Sequence, residues 1–361
     1  MIVVCTLIGH NSNGLSLVPT FDINCSVFDC PDAQWSHFIR AAALCTMASP
    51  NREEIIKDIQ QMWITNQNRN PALPCLSVRT ALDLYLQVMN FPNGSEVIMS
   101  AVNIPDMVQV LHSHGLKVVS LDVDLETMAP KIQLLERLIT QKTKMLLISN
   151  IFGRRFNVEP FIEVVKRYGI VVVEDWAEGF SGFNYVGHRD SDLVLFSFGP
   201  IKYYTSFGGS IAKVRDATIF QQMEALYEKY PLQTHAEYLT KVLKYAFVYI
   251  FLNCPRIIKP GMYLTKALNI DHKKYVVKLL RGFPDRLIER LRHRPSTALL
   301  AMMRARMSAF DPAEINLANV KAEYTSERLP AAVTQVGNKA EVRNHWLFPV
   351  IVVSFSNIPE K

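Results

Sequence analysis

Between about residue 71 and Val214 the chain alternates two hydrophobic rhythms. Short, almost wholly apolar runs occur at Val97-Ile98-Met99, Val118-Val119-Ser120-Leu121, Met145-Leu146-Leu147-Ile148, Ile170-Val171-Val172-Val173 and Leu193-Val194-Leu195-Phe196. Between them, apolar residues recur every three or four positions. Val78, Ala81, Leu82, Tyr85, Leu86 and Met89 fall at helical spacing and leave Arg79, Asp83 and Gln87 on another face. Phe161, Val164, Val165 and Tyr168 repeat the pattern over 159–168, and Gly169 predicts its stop. Strands apolar on both faces and joined by helices predict a mostly parallel sheet covered on both sides, a three-layer α/β/α fold. In such sheets functional groups gather at the carboxyl ends of the strands.

The flanking regions read differently. Residues 1 to about 48 carry few periodic signals. Ser49-Pro50, with Glu53 and Glu54 behind it, predicts a helix with a hydroxyl cap and acids in its first turn, running to about Trp63. From 216 to about 310 the pattern is mainly helical, and the last fifty residues are mixed. The chain therefore divides into an N-terminal segment (1–70), an α/β domain (71–215) and a helical region with a partial small C-terminal domain (216–361). The most apolar run, Tyr245 to Leu252, is too short to span a bilayer. Lys241 and Lys244 precede it, and it predicts a helix buried in the core or at a subunit interface.

Composition narrows the class. With 49% hydrophobic and 20% charged residues the chain has the balance of a folded globular protein. Much of the +6 charge sits late, in Arg281, Arg286, Arg290, Arg292, Arg294, Arg304 and Arg306. No aromatic residues interleave with these arginines, so they predict a solvated helix face and no nucleic-acid groove. Six cysteines without a CxxC pair suit a reducing compartment, and the first residues lack a basic signal region, so a cytoplasmic location with no membrane span is expected.

Three clusters fall at strand ends or helix starts. A strand ends in Glu174-Asp175, followed by Glu178; a carboxylate there caps a helix, completes an ion pair, or pairs with a protonated cofactor ring. Ser197 and Lys202 lie in Phe196-Ser197-Phe198-Gly199-Pro200-Ile201-Lys202, before Gly208-Gly209. Taken alone, that lysine is a solvated charge in a loop. Leu76-Ser77-Val78-Arg79 places a hydroxyl and a guanidinium at a helix start, where anions are favoured and where a routine serine cap looks the same.

Together and in this order the clusters resemble the DegT/DnrJ type of pyridoxal-phosphate (PLP) aminotransferases, of the aspartate-aminotransferase fold. Ser77-Val78-Arg79-Thr80-Ala81-Leu82 is similar to the family's phosphate motif, Glu174-Asp175-Trp176-Ala177-Glu178 to its acidic strand end, and Phe196-Ser197-Phe198 with Lys202 to its lysine motif. The likeness covers roughly 75 to 215. It implies that Lys202 carries the cofactor and shuttles the proton, and that Asp175 pairs with the ring nitrogen. It further implies that Ser77, Arg79, Ser197 and the amides of Val78 and Arg79 hold the phosphate, with Glu178 near the ring's phenolic oxygen. Glutamate would donate the amino group, a keto compound such as a nucleotide-linked sugar would accept it, and two copies would form a homodimer. Dehydratases of the family have histidine where this chain has Lys202.

Departures from the pattern frame an alternative, a catalytically impaired relative serving as a binding or scaffold subunit. Val78 replaces a glycine, Glu178 a glutamine, Val102 an aromatic residue and Asn150 a histidine. The family's later glycine-x-asparagine-x-arginine stretch, through which a partner subunit reaches the phosphate, has no counterpart. The ending after Trp346-Leu347-Phe348-Pro349-Val350 implies a shortened member or a fragment with an incomplete substrate pocket.

Overall fold

A computed structural model describes residues 2–5, 33–47, 51–252, 286–330, 333–345 and 347–352. Its strands are β1 (Ile2–Cys5), β2 (Ala72–Cys75), β3 (Glu96–Ser100), β4 (Lys117–Leu121), β5 (Thr143–Ser149), β6 (Arg154–Arg155), β7 (Val171–Trp176), β8 (Leu193–Ser197), β9 (Ser210–Val214), β10 (Val333–Gln335), β11 (Val342–Arg343) and β12 (Phe348–Val352). Seven of them form one sheet in the order β2-β9-β8-β7-β5-β3-β4. The pairs from β8 to β4 are parallel, and β9 is antiparallel to both neighbours. This is the mostly parallel sheet the apolar runs predict. β2 escaped sequence reading because Pro74 interrupts its donor row; at the edge of the sheet that costs little.

Alternate residues of each strand feed different cores. On one face, Val97, Met99, Met145, Leu147, Val173, Leu193 and Leu195 pack with α3 (Val78–Met89), α4 (Pro105–Ser113) and α7 (Ala217–Tyr227). The other face divides in two. Ile98, Leu146, Ile148 and Val172 pack with α5 (Ile132–Leu138) and α6 (Glu159–Lys166). Trp176, Val194 and Phe196 join a larger cluster with α1 (Trp35–Thr46), α2 (Arg52–Met62), α8 (His235–Leu252) and a later helix, α10 (Thr297–Ser308). The short α9 (Leu287–Leu291) and α11 (Pro312–Ser326) complete the helices. Three layers result.

Helix α3, which points at the carboxyl end of the sheet, is fixed along its length. Asp83, fully buried, accepts hydrogen bonds from Gln87 Nε2 at 2.8 Å and Arg292 Nε at 3.0 Å and pairs with His114 Nε2 at 2.9 Å. Burial alone would raise its pKa, but the bonds to His114 and Arg292 outweigh that and hold it below the usual range. At the start of the helix, Thr80 Oγ1 donates to Leu291 O at 2.9 Å, and Tyr227 OH accepts from Leu76 N–H at 3.0 Å.

Two sequence expectations change. The cap of α2 is Asn51, whose side chain accepts from the Glu53 and Glu54 amides; Ser49 and Pro50 lie outside the described residues. The late arginines are not one solvated face. Arg292 holds Asp83, Arg294 pairs with Glu228 and Arg304 with Asp58. Arg306 is buried, donates to Thr205 O at 3.1 Å and lies over the Tyr204 ring at 4.1 Å. Only Arg286 and Arg290 read as exposed, and Arg281 lies outside the described residues. In α8, Tyr245 and Val248 are buried while Leu243, Phe247 and Ile250 are exposed. Among the described residues no helix is long and apolar enough to cross a membrane.

Candidate active site

Strand β7 delivers two consecutive acids to opposite faces of the sheet. Glu174 turns to the aromatic side and is fully buried. It accepts from Trp176 Nε1 (2.8 Å), Tyr185 OH (3.1 Å), the His188 amide (2.8 Å) and Ser191 Oγ (2.6 Å). Asp175 follows Val173 onto the face that carries α3 and is 7% exposed. Its carboxylate accepts the Ala177 amide at 2.9 Å. Burial raises its pKa to about 6, against the lowering pull of that bond and of Lys202 and Arg79; Glu178 adds to the rise. A buried carboxylate left this short of donors is suited to receive a cation.

Lys202 sits on the loop that joins β8 to β9. The loop folds back on itself: Lys202 N–H donates to Gly199 O at 3.0 Å, and Thr205 Oγ1 to the same oxygen at 2.8 Å. The Ser206 and Gly208 amides both donate to Phe198 O, at 3.0 and 3.1 Å. Gly209, at φ +85°, cannot be replaced freely, since a Cβ there would meet Met303 Sδ at 2.3 Å. Phe207 holds a left-handed φ of +60° with its ring buried and stacked on Phe38 of α1 at 4.5 Å. The lysine is therefore no free surface charge. Its side chain is 16% exposed, and Nζ stands 3.4 Å from Glu178 Oε1. Glu178 Oε2 accepts the Phe152 amide at 3.0 Å.

The third element is the mouth of α3. Ser77 caps the helix, its Oγ accepting the Thr80 amide at 3.1 Å, which leaves the Val78 and Arg79 amides at the helix opening. Arg79 Nη1 pairs with Asp106 Oδ2 at 2.5 Å. Gly209 N–H donates to Leu76 O at 3.1 Å, tying this mouth to the lysine loop. Ser197, opposite Ser210 in the β8–β9 register, accepts the Gly199 amide at 3.4 Å.

The fold thus gathers Asp175, Glu178, Lys202 and Arg79 into one electrostatic neighbourhood, with Ser77 and Val78 at one side and Ser197 at the base of the loop. Val102 packs against the cluster of Val123, Met128 and Val336. The Asn150 side chain is buried with neither amide atom paired among the described residues. Sequence reading did not bring Lys241 here. Its Nζ, reaching in from α8, lies 3.6 Å from the position of a Cβ built on Gly208. Only its place ahead of an apolar run distinguished it in the sequence.

The chain is similar to known proteins. The profile of the DegT/DnrJ/EryC1/StrS aminotransferase family covers residues 68–245. A UDP-4-amino-4-deoxy-L-arabinose–oxoglutarate aminotransferase from Shewanella sediminis is 27% identical over 47% of this chain and 44% of its own. A GDP-perosamine synthase from Caulobacter vibrioides is 30% identical over 43% of this chain and 42% of its own. The chain thus spans less than half the length of these relatives. In fold it is similar to DesI, solved with its TDP-sugar product (TM-score 0.60, 17% identity, 90% of this chain and 74% of that one). It is equally similar to the E. coli GDP-4-keto-6-deoxy-D-mannose-3-dehydratase with bound hydrated PLP (TM-score 0.61, 15% identity, 90% and 78%). Over residues 68–245, just under half of its length, the chain is similar to the DegT/DnrJ/EryC1/StrS aminotransferase family.

Proposed function

We propose that this chain is a PLP-dependent aminotransferase that moves an amino group from a donor such as glutamate to a keto compound, with a nucleotide-linked keto sugar as the acceptor class. The observation that carries the reading is Asp175: a buried carboxylate, poor in donors and facing α3, that a protonated ring nitrogen would complete. The remaining residues fit the same group. The amides of Val78 and Arg79, the Arg79 guanidinium and the hydroxyls of Ser77 and Ser197 suit a phosphate. Lys202 suits the carbonyl end.

Bound there, PLP supplies an electron sink that acidifies the carbon bearing the transferred amine. The chain's own groups do the rest. Asp175 keeps a positive charge at the far end of the ring. Lys202 Nζ takes and returns a proton, held over the site by the turn at Gly199. Glu178, anchored by the Phe152 amide, balances the lysine's charge. The relatives named for UDP- and GDP-linked sugars support the acceptor class.

The same proposal takes 71–215 as the cofactor-binding domain, with α8 and α10 from the region beyond it walling the lysine loop. A cytoplasmic homodimer accompanies it. The exposed Leu243, Phe247 and Ile250 of α8, beside Trp35 and Ile39 of α1, are the face assigned to the second copy.

Absorbance tests the activity. With PLP the protein should gain a visible band that glutamate converts to the pyridoxamine form, and Lys202→Ala should lose both. A second reading, a family protein that binds without turnover, draws on the Glu178–Lys202 ion pair, which engages the lysine's Nζ with a carboxylate of the chain itself. A band that forms but does not respond to glutamate would select it.

A further inference from the structure

We propose that Lys241 is a phosphate ligand of this site, supplied by the chain's own α8. The inference rests on the PLP reading above and adds a residue to it. Helix α8 crosses the lysine loop at a fixed height, because the buried Tyr238 donates from OH to Ser206 O at 2.8 Å. Lys241 lies one turn further on the same face. Its Nζ comes to 3.6 Å from a Cβ built on Gly208, a position Leu299 Cδ2 also approaches at 3.4 Å, so the lysine head reaches the Gly208 side of the loop.

That backbone is the junction of the two hydroxyl-bearing segments. The Gly208 amide is bonded to Phe198 O, next to Ser197, and the Gly209 amide to Leu76 O, next to Ser77. Lys241 therefore stands where the mouth of α3 meets the base of the loop. Arg79 lies close enough to repel it, and together with burial lowers the Lys241 pKa to about 8, burial being the larger cause. Asp106 answers Arg79. Two cations converging beside a helix opening, Ser77 and Ser197 suit a dianion better than a single carboxylate. A phosphate monoester brings that charge and enough oxygens for each donor.

The test compares PLP with pyridoxal, which lacks the phosphate, by titrating the full-length protein and reading bound cofactor by absorbance. Lys241→Met should weaken PLP about 10- to 100-fold while leaving pyridoxal affinity within about twofold, a change too small to reflect a lost ligand. Retained pyridoxal binding also reports an intact fold. Lys241→Arg, which keeps the charge, should retain most of the preference for PLP. Inorganic phosphate should displace PLP from the wild type at lower concentration than it inhibits pyridoxal binding to the Met variant. An unchanged PLP-to-pyridoxal ratio in Lys241→Met overturns the assignment while leaving the PLP reading intact. Equal losses in the Met and Arg variants overturn it too, since charge would then be irrelevant. A wild type that takes up neither compound removes the reading on which the inference stands.

Discussion

Glu174 and Asp175 are neighbours on one strand and opposites in kind. Glu174 collects four donors from an aromatic pocket, two of them side chains more than ten residues away, so removing it strands its partners. Asp175 has the Ala177 amide and a pKa raised to about 6. A saturated carboxylate is a structural fixture; an undersupplied one at the same depth fits the cofactor-pairing role proposed for Asp175. The alternation of a strand is what separates them, sending one to each face.

Perturbing each acid sharpens the contrast. Glu174→Ala leaves the buried Trp176 and Ser191 donors and the half-buried Tyr185 hydroxyl without their acceptor and should cost about 3–5 kcal/mol of stability, read as a lower urea midpoint. A loss below about 1 kcal/mol would mean the pocket rehydrates. Asp175→Asn should fold well yet reduce transamination about 10²- to 10³-fold, the scale of one lost electrostatic contact in a preorganised site.

The third expectation concerns pH in the cofactor-free protein. Folded Asp175 binds its proton up to about pH 6, whereas the unfolded chain releases it near the ordinary carboxylate value. Between these pH values the folded state holds more protons, so stability from this group is present at lower pH and is lost as pH rises through about 6. The full loss approaches 3 kcal/mol, at about 1.4 kcal/mol for each pH unit between the two values. Asp175→Asn should remove that slope and be the more stable protein at neutral pH. The smallest effect is Glu178→Gln, which withdraws a nearby negative charge and should move the same inflection to lower pH by a fraction of a unit, visible as a shifted midpoint in pH-dependent melting.

Much of this was legible in the sequence, for local reasons. Apolar runs such as Met145–Ile148 admit few alternatives once helices flank them, and Ser77 reads as a cap because its neighbours do. Asp175, Glu178 and Lys202 were found by order and spacing, and the fold does bring them together. What stayed hidden depends on long-range contact. The late arginines look alike in sequence, but Arg292 meets a buried acid and Arg306 a tyrosine ring. α1 gave no signal because its burial is limited to residues such as Phe38 and Ala41, with Trp35 and Ile39 left exposed. Lys241 carries no local mark, since its meaning comes from a glycine in another element.

The bond between Gly209 and Leu76 also bears on how the protein comes into being. It joins the two ends of the sheet's chain path, and Met303, from α10, packs where a side chain on Gly209 would stand. The mouth of α3 beside the lysine loop therefore has no local precursor. Closing so long a loop is entropically costly and comes late on a folding route dominated by distant contacts. During synthesis, the emerging domain is expected to acquire its sheet well before it can hold a cofactor, and that ability should arrive only after α10 has cleared the ribosome.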